Sequence, residues 1–397
     1  MVLRFTLVAL WLLCDVVNAG DKLLRLRGVT KFEHDSKPER LMPESPQSKL
    51  QPWRAMPQSE NYSNMCLDGH LVPEVYLLGA PKAATTTMAL SLMGAGVQSI
   101  HDAFNDKELH WFDGRLTWRY RGPEGRQYEY KRWLANMPAC PSKGSGRRMV
   151  GDFTPDYLRM VPIREDFQTW GKFPPWGKWA KIGEIPATGT DVVTLPPLLR
   201  RFYGDSAQNV KFVVLMRDPL SRMQSAWYHS ASFNFTNLCV DCRASSFQEA
   251  LENHVSLLEH GKLSDWIWTG MYERQLSEWL KDFDARQFVI VPYKYFSSQG
   301  EQEFICQALS SSLSYAIDCA SHGIALSQEW AHKHPAVAAD STEDLRDRFE
   351  KFMGPERRRL AKLLERMQRQ GAVLAGGRSS LERLASFGIE RWLREGW

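Results

Sequence analysis

The stretch VYLLGAPKAATTTMALSLM, Val75 to Met93, decides the fold. Val75 to Leu78 is an unbroken apolar run and predicts a buried strand. Gly79 to Ala84 is punctuated by glycine and proline and predicts a tight turn, and a helix opens at Thr85 to Thr87. A strand feeding such a turn and then a helix presents unpaired backbone N–H groups at the helix start, where the peptide dipoles also favour negative charge. Lys82 adds a mobile ammonium, and Thr85, Thr86 and Thr87 add hydroxyl donors, so the stretch is a candidate phosphate-type site. An ordinary crossover with a solvated lysine has the same local pattern.

Outward from this stretch, Met149 to Asp152, Val210 to Met216 (VKFVVLM) and Gln287 to Pro292 (QFVIVP) predict further strands, the latter two too apolar for a sheet edge. Helical patterns cover Tyr120 to Trp133, Pro196 to Tyr203, Phe247 to Glu259, Met271 to Phe283, Phe296 to Leu309, Glu343 to Gln370 and Leu381 to Trp397. Strands alternating with helices predict an α/β fold, a mostly parallel central sheet with helices on both faces. The Arg357-Arg358-Arg359 run in the long helix is a solvated face rather than a polyanion site.

In open α/β sheets ligands bind beyond the carboxyl ends of the strands. The Lys82 turn lies at one such end. Arg217-Asp218-Pro219 lies at another, with Asp218 placed to cap a helix that carries Arg222 and Ser225. Parallel neighbouring strands would bring the two together as anion-binding points on one face, suited to a nucleotide with phosphates at both its 3′ and 5′ positions. The competing role for Arg217 is an ion pair with Asp218 or Asp205. A P-loop NTPase requires G-x-x-x-x-G-K-[ST]; here Lys82 comes early, Ala83 and Ala84 separate it from Thr85, and no obvious acidic strand end offers itself to magnesium.

The chain has 397 residues, 43% hydrophobic and 24% charged, which is globular composition. A net charge of +4 argues against a nucleic-acid protein driven by bulk charge. Arg4, the apolar Phe5 to Leu13 and the small residues of Val17-Asn18-Ala19 read as a secretory signal over residues 1–19, with an uncleaved membrane anchor as the alternative. Residues 20–69 are a polar, proline-dotted stem, and residues 70–397 form the α/β domain with its C-terminal helices. Apart from Cys14, six cysteines remain, an even count that suggests disulfides, with Cys306 and Cys319 flanking a small loop as the best candidate pair. Cys239 and Cys242 form a C-x-x-C without a second pair at zinc spacing. Asn61 and Asn234 head glycosylation triplets. Trp170, Trp176 and Trp179 among Lys172, Lys178 and Lys181 read as a packed flap, or as aromatic faces and cations for an anionic sugar chain.

Three segments carry a family resemblance. PKAATTT (Pro81 to Thr87) resembles the 5′-phosphosulfate loop of sulfotransferases, usually PKxGTT. RDPLSRMQSAWYH (Arg217 to His229) resembles their 3′-phosphate motif, RxPxxRxxSxY, and KELHWFD (Lys107 to Asp113) is similar to the KExHFFD segment of luminal heparan sulfate sulfotransferases. The resemblance implies a P-loop-like fold and 3′-phosphoadenosine 5′-phosphosulfate as donor, with no metal. It places Lys82, Ala83, Ala84, Thr85, Thr86 and Thr87 around the 5′-phosphate, and Arg217 and Ser225 on the 3′-phosphate. Lys333 and His334 fall in a loop similar to the family's late cofactor loop. Glu108 would be the general base, His110 its support, and Lys107 and Asp113 acceptor contacts. Without the resemblance, Glu108 is a surface carboxylate beside Lys107, Ser225 a helix-facing hydroxyl, and His110 and His334 packed or surface histidines.

The implied activity is sulfation of a glycan hydroxyl, on a polysaccharide or glycosaminoglycan-like acceptor, in the Golgi lumen or outside the cell. No nucleic acid partner is implied, and a membrane only if the leader stays attached. A tyrosyl-protein or small-molecule sulfotransferase, or an inactive glycan-binding relative, are the alternatives. The sequence departs from the family at Ala84, where glycine is usual, and at Asp152-Phe153-Thr154-Pro155, which lacks the usual lysine. Trp330 and His332 stand where lysine and arginine are usual, with Lys333 as the available substitute.

Overall fold

The computed structural model describes residues 54–55, 63–100, 107–112, 130–161, 168–169, 195–232, 244–298, 301–319, 336–376 and 388–397. The leader, most of the stem, Asn61, Asn234, Asp113, the Trp/Lys stretch from Trp170, Cys239, Cys242, Lys333 and His334 lie outside the described residues. The described residues all belong to one unit, Lys49–Trp397.

The central strand β1 (Pro73–Gly79) is buried at every residue. Alternate side chains on a strand point to opposite faces, so the sheet is covered on both. β2 (Val97–Ser99), β3 (Met149–Asp152), β4 (Lys211–Met216), β5 (Phe288–Pro292) and β6 (Val373–Leu374) join it in the order β6-β5-β4-β1-β3-β2. Every pairing is parallel. The expected α/β fold with its parallel central sheet is what forms. The first strand lies in the interior and later strands add on either side, so the crevice beyond the carboxyl end of β1 is a topological switch point.

Around the sheet run α1 (Thr85–Gly94), α2 (Leu195–Tyr203), α3 (Pro219–Ser232), α4 (Phe247–Glu259), α5 (Tyr272–Trp279), α6 (Tyr293–Ser297), α7 (Gln302–Leu313), α8 (Glu343–Arg369) and α9 (Ile389–Gly396). Local chemistry sets several starts. Asp218 Oδ1 accepts the N–H of Ser221 at 2.8 Å and caps α3, Ser246 caps α4 and Thr342 caps α8. The apolar faces of the strands meet aromatic rings: Phe212 packs against Trp279 of α5, Phe283 just beyond that helix and Phe288 of the neighbouring strand β5.

Two elements differ from the sequence expectation, and the long helix expected over Glu343 to Gln370 forms across a proline. The run Phe296 to Leu309 divides: α6 follows β5 directly, and α7 starts only at Gln302. The segment after α8, which reads as a simple break, contains β6; Val373 and Leu374 pair with Val289 and Ile290. α8 continues through Pro355, which removes one helix hydrogen bond. The next residue, Glu356, is buried and paired with Arg274 of α5 at 2.9 Å, and Met353 and Leu360 are buried on either side, so tertiary contacts hold the helix across the proline. The Cys306–Cys319 disulfide is present as expected, and Cys66 is joined to Cys140, a pairing the spacing left open. Among the described residues no helix is long and apolar enough to cross a membrane.

Candidate active site

The turn after β1 is built from strained backbone. Lys82 (φ 68°) and Ala84 (φ 67°) both lie in the left-handed region. Ala84 is the residue before α1, no side chain caps that helix, and no acid sits in its first turn. The first amides of Thr85, Thr86 and Thr87 therefore face outward for an external anion, at the positive end of the helix dipole. Ala83 behaves differently from the expectation: its N–H is bonded to Ala80 O at 3.1 Å and its methyl is fully buried, so it offers an anion nothing. Because alanine pays for a positive φ that glycine adopts freely, Ala84→Gly is expected to stabilise the fold by about 1 kcal/mol. A rise in the urea midpoint at unchanged m-value checks it.

Arg217 follows β4 and closes on this turn. Its Nη1 donates to Lys82 O at 3.0 Å, and its guanidinium lies over the Tyr293 ring at 4.6 Å. Tyr272 Oη donates to Arg217 O at 2.9 Å and fixes the backbone. The two cationic strand ends thus meet on the same side of the sheet. The competing ion pair with Asp218 or Asp205 does not form among the described residues; Asp218 serves the α3 cap instead. Arg217 Nε and the Nε of the buried Arg222 have no hydrogen-bond partner. Arg222 Nη2 donates to Trp266 O. Ser225 is buried on the same helix. Burial pulls both guanidinium groups below their ordinary values. Burial also lowers the Lys82 ammonium to about 8, against the pull of Glu108 and Asp156 and with the repulsion of Lys107 and Arg222. Buried cations with unfilled donors form a site that favours an anion.

The Glu108 segment hangs beside this site on two hydroxyls. Thr154 Oγ1 accepts the N–H of His110 at 3.1 Å, and Tyr157 Oη accepts those of Trp111 at 3.0 Å and Phe112 at 3.3 Å. Both hydroxyls donate in turn to Asp152, at 2.7 Å and 3.0 Å. Glu108 is held at both oxygens, by the Lys107 ammonium and by His110 Nε2 at 3.1 Å. Burial pushes its carboxyl up, but the His110 hydrogen bond and the Lys107 charge outweigh that and hold it below the ordinary carboxylate value. His110 adopts φ 48°, so three of the non-glycine residues in the left-handed region, Lys82, Ala84 and His110, cluster here. Such strain collects at functional sites.

Lys82, Thr85 to Thr87, Arg217, Glu108, Lys107 and His110 are therefore placed at or next to the carboxyl ends of β1 and β4, and Ser225 lies further along α3. One expectation is corrected. β3 does end in an acid, Asp152, but its two oxygens are taken by Thr154 and Tyr157 rather than held open. Thr154 enters the sequence reading only as part of the Asp152 to Pro155 segment, and Tyr157, Asp156 and Tyr293 do not enter it as site residues. Only the compact Asp-Phe-Thr-Pro-Asp-Tyr run after β3 marked the first three, and nothing local marked Tyr293. The close approach of this run to the Lys82 turn is set by Gly79, where a Cβ would lie 2.5 Å from Pro155 O.

No family model and no curated protein matches the sequence. Among solved structures, a crystal structure of a sulfotransferase from Alicyclobacillus acidocaldarius is similar at 15% identity, over 74% of this chain and 96% of that one, with a TM-score of 0.42. That likeness is too slight to assign a role to any residue.

Proposed function

We propose that the chain is a sulfotransferase that moves a sulfuryl group from 3′-phosphoadenosine 5′-phosphosulfate to a hydroxyl of a glycan in the secretory pathway. The observation that carries the reading is the 3.0 Å hydrogen bond from Arg217 Nη1 to Lys82 O, which joins two anion-binding points distant in sequence. Arg217 and Ser225 take the 3′-phosphate, and the amides and hydroxyls of Thr85 to Thr87 take the 5′-phosphate.

Sulfuryl transfer resembles phosphoryl transfer, an in-line displacement governed by positioning and charge. The acceptor oxygen bonds to sulfur, the bond from sulfur to the bridging oxygen breaks, and the acceptor proton passes to Glu108. Lys82 stabilises the charge that collects on the bridging oxygen. A sugar acceptor is supported by Trp111, three residues from Glu108, with the exposed Arg132 5.9 Å from its ring centre. An aromatic face beside a cation suits a ring bearing negative charge. The leader-like N-terminus and the two disulfides support the compartment.

Lys82 works as the ammonium, so kcat/KM is expected to hold below its pKa and to fall tenfold per pH unit above about 8. A profile flat to pH 10 would contradict this role. The reading itself is tested with labelled donor and a panel of polysaccharides and glycosaminoglycans, followed by disaccharide analysis. Sulfate found only on peptide tyrosine or a phenol would move the acceptor to another class. No transfer to any acceptor, with glycan binding intact, would leave a binding protein.

A further inference from the structure

We propose that Lys107 is the positioning residue for Glu108, a buried counter-ion that fixes the carboxylate beside Lys82 and supplies the cation that the turn after β3 does not. This rests on the sulfuryl-transfer reading and gives Lys107 a different task from the acceptor contact expected of it.

Neighbouring side chains on an extended segment point to opposite sides. Lys107 and Glu108 instead meet through their charged ends, and Lys107 is only 7% exposed. A lysine buried this far from solvent cannot reach out to a polymer, and its burial is costly unless it is paired. Its partner is a carboxylate whose second oxygen is already fixed by His110. The segment cannot relax, because the N–H groups of His110, Trp111 and Phe112 are tied to Thr154 and Tyr157.

The turn after β3 supplies no competing cation at its first residue. Phe153 is fully buried and its ring lies over Gly151, where a Cβ would meet it at 2.6 Å. Among the described residues, the charged groups that act on Glu108 are Lys107 and His110 from its own segment and Lys82 from the β1–α1 turn. Asp156 and Arg222 act on Lys82 from beyond. Removing the Lys107 charge leaves burial less opposed, so Glu108 would hold its proton to higher pH, and only below that raised midpoint would it be unable to accept one from the substrate.

The test uses the full chain with 13C-labelled glutamate, the Glu108 signal being identified by its loss in Glu108→Gln. Lys107→Met is expected to raise the Glu108 titration midpoint by about one pH unit or more, and Lys107→Arg to leave it near the parent value. The acid limb of kcat/KM is expected to move by the same amount with the donor KM unchanged. Lys107→Gln replaces Lys107→Met if the latter does not fold. A midpoint that stays put in the uncharged variants overturns the proposal. So does a raised acceptor KM with an unmoved acid limb, which would make Lys107 an acceptor contact. Absence of turnover in the parent protein would instead undo the sulfuryl-transfer reading, while the titration still reports on the ion pair.

Discussion

Lys82→Ala is expected to lower kcat for sulfuryl transfer by about a hundred- to a thousand-fold, the usual loss when one preorganised charge on a leaving oxygen is removed. The substitution is clean because alanine also carries a Cβ. The positive φ at this position, 68°, strains both residues alike, so the turn keeps its shape and only the ammonium is lost. The donor KM is expected to change far less, because Thr85 to Thr87 and Arg217 still hold the phosphates. Lys82→Arg is expected to recover little, since a planar fork does not fit the place of a compact point charge among Glu108, Asp156 and Arg222. Single-turnover measurements with labelled donor separate the chemical step from binding. A kcat within a few-fold of the parent would remove Lys82 from the mechanism.

Glu108→Gln is expected to lower kcat by about a hundred- to ten-thousand-fold, the range for loss of a general base. The amide keeps the shape of the side chain, and the segment remains hung on Thr154 and Tyr157. Lys107 is left with a buried charge and no counter-ion, so the variant is also expected to be less stable than the parent. Circular dichroism at the assay temperature shows whether the fold survives, and the kcat of the folded protein then reports the chemistry. Unchanged kcat would return Glu108 to the role of a structural partner for Lys107.

The strands were legible to the degree that they are buried on both faces. β1, β4 beyond Lys211 and β5 read as apolar runs because their side chains are buried on both faces, and they lie in the interior of the sheet. β6 escaped because two residues carry no periodicity; its pairing with Val289 and Ile290 is decided in three dimensions. The helix through Pro355 was legible as a long period, but what keeps it whole there, the buried Arg274–Glu356 pair, joins elements that no local pattern connects.

The same division runs through the site. Lys82 and Arg217 were legible because chemistry in such folds sits at strand ends, and both follow apolar runs. The suspension of the Glu108 segment was not. Its donors are main-chain N–H groups, its acceptors are Thr154 and Tyr157, and the sequence separation is more than forty residues. Any threonine or tyrosine looks equally available until the fold places it. At Ala84 the sequence shows only a departure from the usual glycine; that the turn demands a positive φ there, and so strains alanine, is visible only in the fold.

The central claim is that one adenosine bisphosphate spans the Lys82 turn and Arg217. Titration calorimetry with 3′-phosphoadenosine 5′-phosphate and with adenosine 5′-phosphate, on the parent protein and on Arg217→Ala, tests it most directly. Loss of a charge-assisted contact of about 1.5–3 kcal/mol corresponds to roughly ten- to a hundred-fold in affinity. The parent is expected to bind the bisphosphate more tightly than the monophosphate by that factor, and Arg217→Ala to bind the two alike. Failure of the parent to bind either nucleotide, or a preference for the bisphosphate that survives intact in Arg217→Ala, would contradict the account.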